Sequence, residues 1–126
     1  DYIDAHPRFS PTGNRLAFTS TRSGNFDIYR MAADGSAMLQ LTDHPGIDTR
    51  PAWSPDGLKI AYTSLIQGNY EIFVMNADGS HQKQITTNPG KDDFACWHPD
   101  GKRVFYVSEV KGKIDIYSTL VEDSTP

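Results

Sequence analysis

The sequence predicts an all-β chain made of three copies of one four-stranded antiparallel unit, with the last copy incomplete. Three observations carry that expectation. Phe9, Trp53 and Trp97 stand at intervals of 44 residues, each inside a related block: Pro7 to Gly13, Pro51 to Gly57 and Ala95 to Gly101. A fixed period of this size is the mark of a repeat architecture. Overlaying residues 8–51 on 52–95 then gives 19 identical columns of 44, where average composition predicts about three. Finally, ten Gly and eight Pro punctuate a chain with six Tyr, six Phe and two Trp, the composition of short strands joined by tight turns.

The second repeat shows each element in order. Pro51 to Ser54 reads as a short extended piece that stops at Ser54-Pro55-Asp56-Gly57, where Pro sets φ for the first turn position and Gly accepts a positive φ at the end. Lys59 to Ser64 is a β-rich run, and Gln67-Gly68-Asn69 turns it into a second, Tyr70 to Met75. Asn76-Ala77-Asp78-Gly79 is the next hairpin turn, with Asp-Gly tolerating two successive positive φ values. It leads into Lys83 to Thr86, a short and more polar fourth strand. The first repeat repeats these roles at Arg15 to Ser20, Phe26 to Met31 and Ala37 to Leu41. The third runs through Arg103 to Ser108 and Ile114 to Thr119, then loses the pattern, because Glu122-Asp123-Ser124 stands where Asp-Gly-Ser is expected.

The faces of these strands decide how the units assemble. Ile60 and Tyr62 share one face of their strand while Ala61 and Thr63 share the other; Ile72 and Val74 oppose Phe73 and Met75 in the next. A sheet apolar on both faces must lie between two others, which is the position of a propeller blade. The expectation is one repeat domain over 1–126, with blade 1 at about 4–47, blade 2 at about 48–91 and blade 3 at about 92–126.

Composition excludes several classes of function. Net charge is −4 with no Lys/Arg cluster, so a nucleic-acid surface has no electrostatic support. No apolar run approaches the ~20 residues of a membrane span. The single Cys96 rules out an intrachain disulfide, and since Arg8 and Ala52 fill its column it reads as a small, partly buried residue.

The blocks Pro51-Ala52-Trp53-Ser54-Pro55-Asp56-Gly57, Ile60-Ala61-Tyr62-Thr63-Ser64, Glu71 to Ser80 and Gln84-Ile85-Thr86 resemble the TolB-type β-propeller repeat. The resemblance implies a propeller that closes with six blades, of which this chain would be half; its two open apolar blade faces are then covered either by a second copy, a homodimer completing the ring, or by the further repeats of a longer protein of which this chain is a fragment. It also implies a periplasmic or extracellular location. Relatives with this repeat include TolB, propellers of prolyl-oligopeptidase-like and tricorn-like proteases, and oligogalacturonate lyases. The implied role is therefore a noncatalytic module binding a protein or peptide, with an accessory propeller of a larger hydrolase, or a channel that binds a small ligand or glycan, as the alternatives. Arg often follows the second strand in this family, as at Arg22, but Ile66 and Val110 fill that slot here.

Candidate site residues follow from the columns. Asp4, Asp48 and Asp92 recur five residues before each aromatic anchor. Carboxylates ringing one end of a channel could hold a hard cation such as Ca²⁺, while a structural Asp accepting turn hydrogen bonds explains the same periodicity. No other cofactor is implied. His6, Arg50 and Phe94 share one column and differ in every repeat, which makes them the candidate partner-binding residues at the channel mouth. The four histidines occupy four different columns, without metal-ligand spacing. Ser10 and Ser54 precede Pro in turns, outside any Gly-x-Ser-x-Gly context, so no catalytic residue is assigned.

Overall fold

Eleven strands form in the computed structural model, which describes residues 1–121. Blade 1 contains β1 (Asp4–Phe9), β2 (Arg15–Ser20), β3 (Asp27–Ala32) and β4 (Leu39–Gln40) in that spatial order. Blade 2 repeats it with β5 (Ile47–Trp53), β6 (Lys59–Ile66), β7 (Asn69–Asn76) and β8 (Lys83–Gln84). Blade 3 has three strands, β9 (Lys91–Trp97), β10 (Arg103–Val110) and β11 (Lys113–Leu120). Every pairing is antiparallel. The all-β fold of three blades, the last one short of a strand among the described residues, is the one the repeat predicts. No helix of the described residues is long and apolar enough to cross a membrane.

Turn chemistry explains the joints. At Ser54–Gly57 the Gly57 N–H donates to Ser54 O at 2.9 Å with φ +74 at the glycine, a turn with Pro at its first corner. The Ser54 hydroxyl donates to Asp56 at 2.6 Å and accepts from the Lys59 N–H at 3.0 Å, which explains Ser before Pro without any nucleophilic role. The Asn76–Gly79 hairpin differs from expectation. Gly79 alone has a positive φ, at +90, and its N–H donates to Asn76 O at 2.9 Å; Asp78 instead accepts from the Ser80 N–H at 2.9 Å. This is a right-handed turn followed by a single left-handed glycine.

The innermost strands are longer than the sequence suggests. β5 begins at Ile47 rather than Pro51, so Asp48 lies inside the strand instead of on the approach to it. Pro51 is accommodated because a bulge interrupts the ladder there: Thr49 pairs with Thr63 and Ala52 with Ala61, leaving Arg50 and Pro51 opposite Tyr62. The same shift occurs after Ala5 in β1 and after Asp93 in β9.

Apolar contacts lie between the blades. Ala17, Ile28 and Leu41 of blade 1 pack on Ile60, Tyr62 and Met75 of blade 2. One blade further on, Ala61, Ile72 and Val74 meet Val104 and Tyr106. Blade 2 is thus buried on both faces, as its two-sided apolar pattern requires. Each anchor tryptophan adds a directed contact: Trp53 Nε1 donates to Arg8 O at 2.9 Å and Trp97 Nε1 to Ala52 O at 2.9 Å, each reaching the inner strand of the preceding blade.

Candidate functional site

The three bulges place the candidate partner-binding residues. His6, Arg50 and Phe94 are each the first bulge residue, with φ of 53, 54 and 58. A non-glycine residue in this region costs roughly 1–2 kcal/mol, so three different side chains are held there where glycine would fit more cheaply. Bulges of this kind aim a side chain away from its sheet.

β1, β5 and β9 lie side by side, which brings Arg50 and Phe94 together, while His6 faces the Thr19 and Thr49 hydroxyls and does not line the groove they share. The Arg50 guanidinium sits 4.6 Å from the centre of the Phe94 ring, a cation–π arrangement. It also donates to Asp93 Oδ2 at 3.1 Å. His6 Nδ1 lies 3.2 Å from Thr49 Oγ1 and 3.3 Å from Thr19 Oγ1. Burial, and then the charges of Arg50 and Arg8, hold the His6 imidazole below its usual range, so it is neutral at pH 7 and its Nδ1 can accept from one of those hydroxyls. Phe94 is 57% exposed.

An open groove of about 490 Å³ runs along these inner strands, lined among others by Arg8, Phe9, Arg50, Trp53, Phe94 and Trp97. Its walls are aromatic and its fixed charges are two arginines. Cys96 is exposed on the same wall, which corrects its reading as a partly buried residue: bulged inner strands turn that column toward the groove. Asp93 was missed as part of the site, since it stands next to the carboxylate that recurs and has no counterpart of its own type.

Asp4, Asp48 and Asp92 are treated differently by each blade. Asp4 is accessible, and Arg22 Nη2 donates to both of its carboxylate oxygens, Oδ2 at 2.9 and Oδ1 at 3.1 Å; the Ser20 hydroxyl and Arg22 hold its carboxyl below the usual range. Asp48 and Asp92 are fully buried. Where Ile66 and Val110 replace the arginine, a loop residue takes over: His44 Nε2 contacts Asp48 Oδ1, and Asn88 Nδ2 donates to Asp92 Oδ2 at 2.7 Å. His44 Nδ1 accepts the Gly46 N–H at 2.9 Å, which puts the ring proton on Nε2, facing Asp48. Asn88 does the same with Gly90 N–H at 2.8 Å. His44 and Asn88 are equivalent residues of the repeat, a relation hidden when histidines are compared only with histidines.

Next to each buried Asp lies a second acid. Asp27 accepts from Ser23 at 2.8 Å and Thr42 at 3.2 Å, and Glu71 accepts from Thr86 at 2.6 Å and Asn69 at 2.7 Å. Burial pushes both carboxyls up, and the neighbouring Asp48 and Asp92 add to the shift. Among the described residues no three His, Cys, Asp or Glu are grouped so as to hold a metal ion.

Known proteins agree with this geometry. A family model described as the TolB beta propeller domain matches residues 1–70. Among solved structures, a putative TolB from Agrobacterium tumefaciens is 28% identical with a TM-score of 0.79, over 89% of this chain and 43% of that one. TolB from Acinetobacter baumannii is 27% identical with a TM-score of 0.77, over 91% of this chain and 29% of that one. A puromycin-hydrolyzing peptidase from Mycobacterium tuberculosis shares the fold at 18% identity, with a TM-score of 0.79 over 99% of this chain and 21% of that one. No curated protein sequence gives a significant match. The chain spans less than half the length of each of these structures, and with its repeat, its blades and the matched family model it belongs to the TolB β-propeller family.

Proposed function

We propose that this chain is a noncatalytic TolB-type propeller module that binds a protein or peptide partner along the groove of its inner strands, through Arg50 and Phe94, with His6 of the same column next to the groove rather than lining it. The observation that carries the reading is the left-handed bulge repeated in all three blades with a different large side chain each time. Architecture alone would be served by glycine at lower cost, so the strain is kept for what those side chains contact. Aromatic walls with Arg8 and Arg50 suit an extended segment carrying apolar and acidic residues.

Two such chains close a six-bladed ring in this reading. The open face of blade 1 offers a cavity of about 170 Å³ lined by Leu16, Phe18 and Met31 among others. The opposite face, on blade 3, carries Ile116 at 74% exposure, in the column of Ile28 and Ile72. Kinship with TolB proteins supports a periplasmic or extracellular setting. The test is selection of peptides from a random display library on the immobilised chain. Enriched peptides should lose most of their affinity for an Arg50→Ala, Phe94→Ala variant, and equal binding to both proteins would overturn the groove as the site.

The second reading is an accessory propeller of a larger hydrolase, favoured by superposition of nearly the whole chain on part of the puromycin-hydrolyzing peptidase. An α/β-hydrolase pattern in the adjoining coding sequence would support it over the first.

A further inference from the structure

The inner groove is poorly suited to one common mode of peptide recognition. An added β-strand needs free main-chain N–H and C=O groups on the surface it joins, and this wall has few to give. Arg8 O and Ala52 O accept the Trp53 and Trp97 indole N–H groups at 2.9 Å each. The Arg50 N–H donates to Thr19 Oγ1 at 3.2 Å and the Phe94 N–H to Asp93 Oδ1 at 2.8 Å, while the Ser54 N–H is spent on Lys59 O at 2.9 Å. Pro11, Pro51 and Pro55 also line the groove and have no N–H at all. A strand laid on these groups would leave its own N–H groups without partners, which is costly.

What the wall does offer is flat rings and two cations. Trp53, Trp97 and Phe94 supply the rings, and both indole donors are already used. The Arg8 guanidinium donates to Pro7 O at 2.9 Å and has no ion pair among the described residues. Arg50 lies over Phe94 and is anchored through Nη1 to Asp93 Oδ2 at 3.1 Å, which leaves its other N–H groups for a ligand. Asp93 is itself tied down by the Thr63 hydroxyl at 2.7 Å, so it fixes one guanidinium and leaves the other unpaired. Spacing adds a third condition. Trp53 and Trp97 are equivalent residues of adjacent blades, and sheets packed face to face lie about 10 Å apart; one turn of polyproline II, three residues long, advances about 9 Å.

We propose that the groove takes an acidic, proline-rich segment in the polyproline II conformation, with prolines at every third position stacked on Trp53 and Trp97 and carboxylates held by Arg8 and Arg50. This names the partner class for the groove reading above and rests on it. Such a segment keeps its main chain in water and brings few N–H groups of its own, so a wall with few free partners suits it better than it suits a strand. Proline rings match aromatic faces, and carboxylates match guanidinium groups in both charge and geometry. The site lies on β1, β5, β9 and the turns that follow β1 and β5, and does not involve the outer faces of blades 1 and 3.

The probe is the peptide Pro-Glu-Pro-Pro-Glu-Pro-Pro-Glu-Pro, which sets its acids along one edge of the helix and prolines along the other two. It is titrated with the chain by anisotropy of an attached fluorophore and, unlabelled, by tryptophan emission. Trp53 and Trp97 are the only tryptophans, so a change in emission reports the groove. Saturable binding that weakens with added salt is expected. Alanine in place of every proline, or Gln in place of every Glu, should each weaken binding about tenfold or more. Arg8→Gln, at an exposed position, should weaken it about tenfold and reduce the salt dependence. Because the first two changes are in the peptide, folding of the protein is not in question. Equal affinity of the alanine peptide, with both peptides weakened alike by Arg50→Ala and Phe94→Ala, would overturn the polyproline assignment and leave the groove reading standing. So would failure of the proline peptide to bind while peptides selected from the random library still bind through Arg50 and Phe94. Selected peptides indifferent to both residues would overturn the groove reading and this proposal together.

Discussion

At the scale of single residues, the most informative contrast is between Arg22, His44 and Asn88. All three serve the same carboxylate column, but Arg22 does so at the surface and stacks within 4.5 Å of the Tyr2 ring centre, while His44 and Asn88 serve fully buried acids. A buried carboxylate that loses its donor costs about 1–3 kcal/mol or more. His44→Ala should therefore lower unfolding free energy by at least that amount in urea titrations. His44→Asn should recover most of it, because Asn88 makes the same two bonds from the equivalent position; a variant as unstable as His44→Ala would show that the imidazole does something the amide cannot. Glu71 supports a second prediction. Its carboxyl is raised by burial first and by Asp92 after that, so the native state holds its proton more tightly than the unfolded chain does. The sign follows: between the ordinary carboxylate range and the raised native value, stability falls as pH rises. Glu71→Gln should remove that part of the decline, giving a flatter profile of unfolding free energy over this interval. An unchanged slope would mean that Glu71 does not titrate there.

At the scale of elements, the bulged inner strand decides most of the site. Its strain can be measured. Arg50→Ala and Arg50→Gly both delete the guanidinium and its contact with Phe94, but only glycine relieves the positive φ, so the glycine variant should be the more stable by roughly 1 kcal/mol. Equal stabilities would place the strain elsewhere. The same element shows what was legible beforehand. Strands β2, β6 and β10 could be read from Arg15, Lys59 and Arg103 onward because both their faces are apolar and turn residues bound them. The first strand was legible only in its second half, at Pro51 to Ser54; its start was not, because in blades 1 and 2 Pro7 and Pro51 interrupt it and proline ordinarily argues against a strand, and the bulge that admits proline is a property of the paired backbone. The shared column of His6, Arg50 and Phe94 was visible as positional variation. That Arg50 lies over Phe94 and reaches Asp93 was not, since it depends on how closely neighbouring blades approach. The fate of Asp48 and Asp92 was hidden for the related reason that burial is a property of the sheet stack.

At the scale of the molecule, the anchor tryptophans state a rule for joining blades and also where it lapses. Trp53 and Trp97 each donate to a carbonyl 45 residues earlier, so every internal junction has one such bond. In a ring of two chains, the blade 3 to blade 1 junction would bring Phe9 to the main chain of the partner's Cys96, the column that follows Arg8 and Ala52. Phe9 has no N–H to donate, and it is 63% exposed. In such a ring the closing junctions would lack this bond and would set Leu16, Phe18 and Met31 of one chain against Phe105 and Ile116 of the other. Phe9→Trp supplies the absent donor at both junctions at once. With a net value of about 1 kcal/mol for each hydrogen bond, the dimer should tighten by roughly thirtyfold, read from the concentration dependence of mass by sedimentation. The wild-type chain should move between the 14.0 kDa mass of one chain and twice that value, and the variant should reach the larger mass at lower concentration. A chain that stays at the single mass throughout, with and without the substitution, would rule out ring closure by a second copy and leave the blade faces to a different partner.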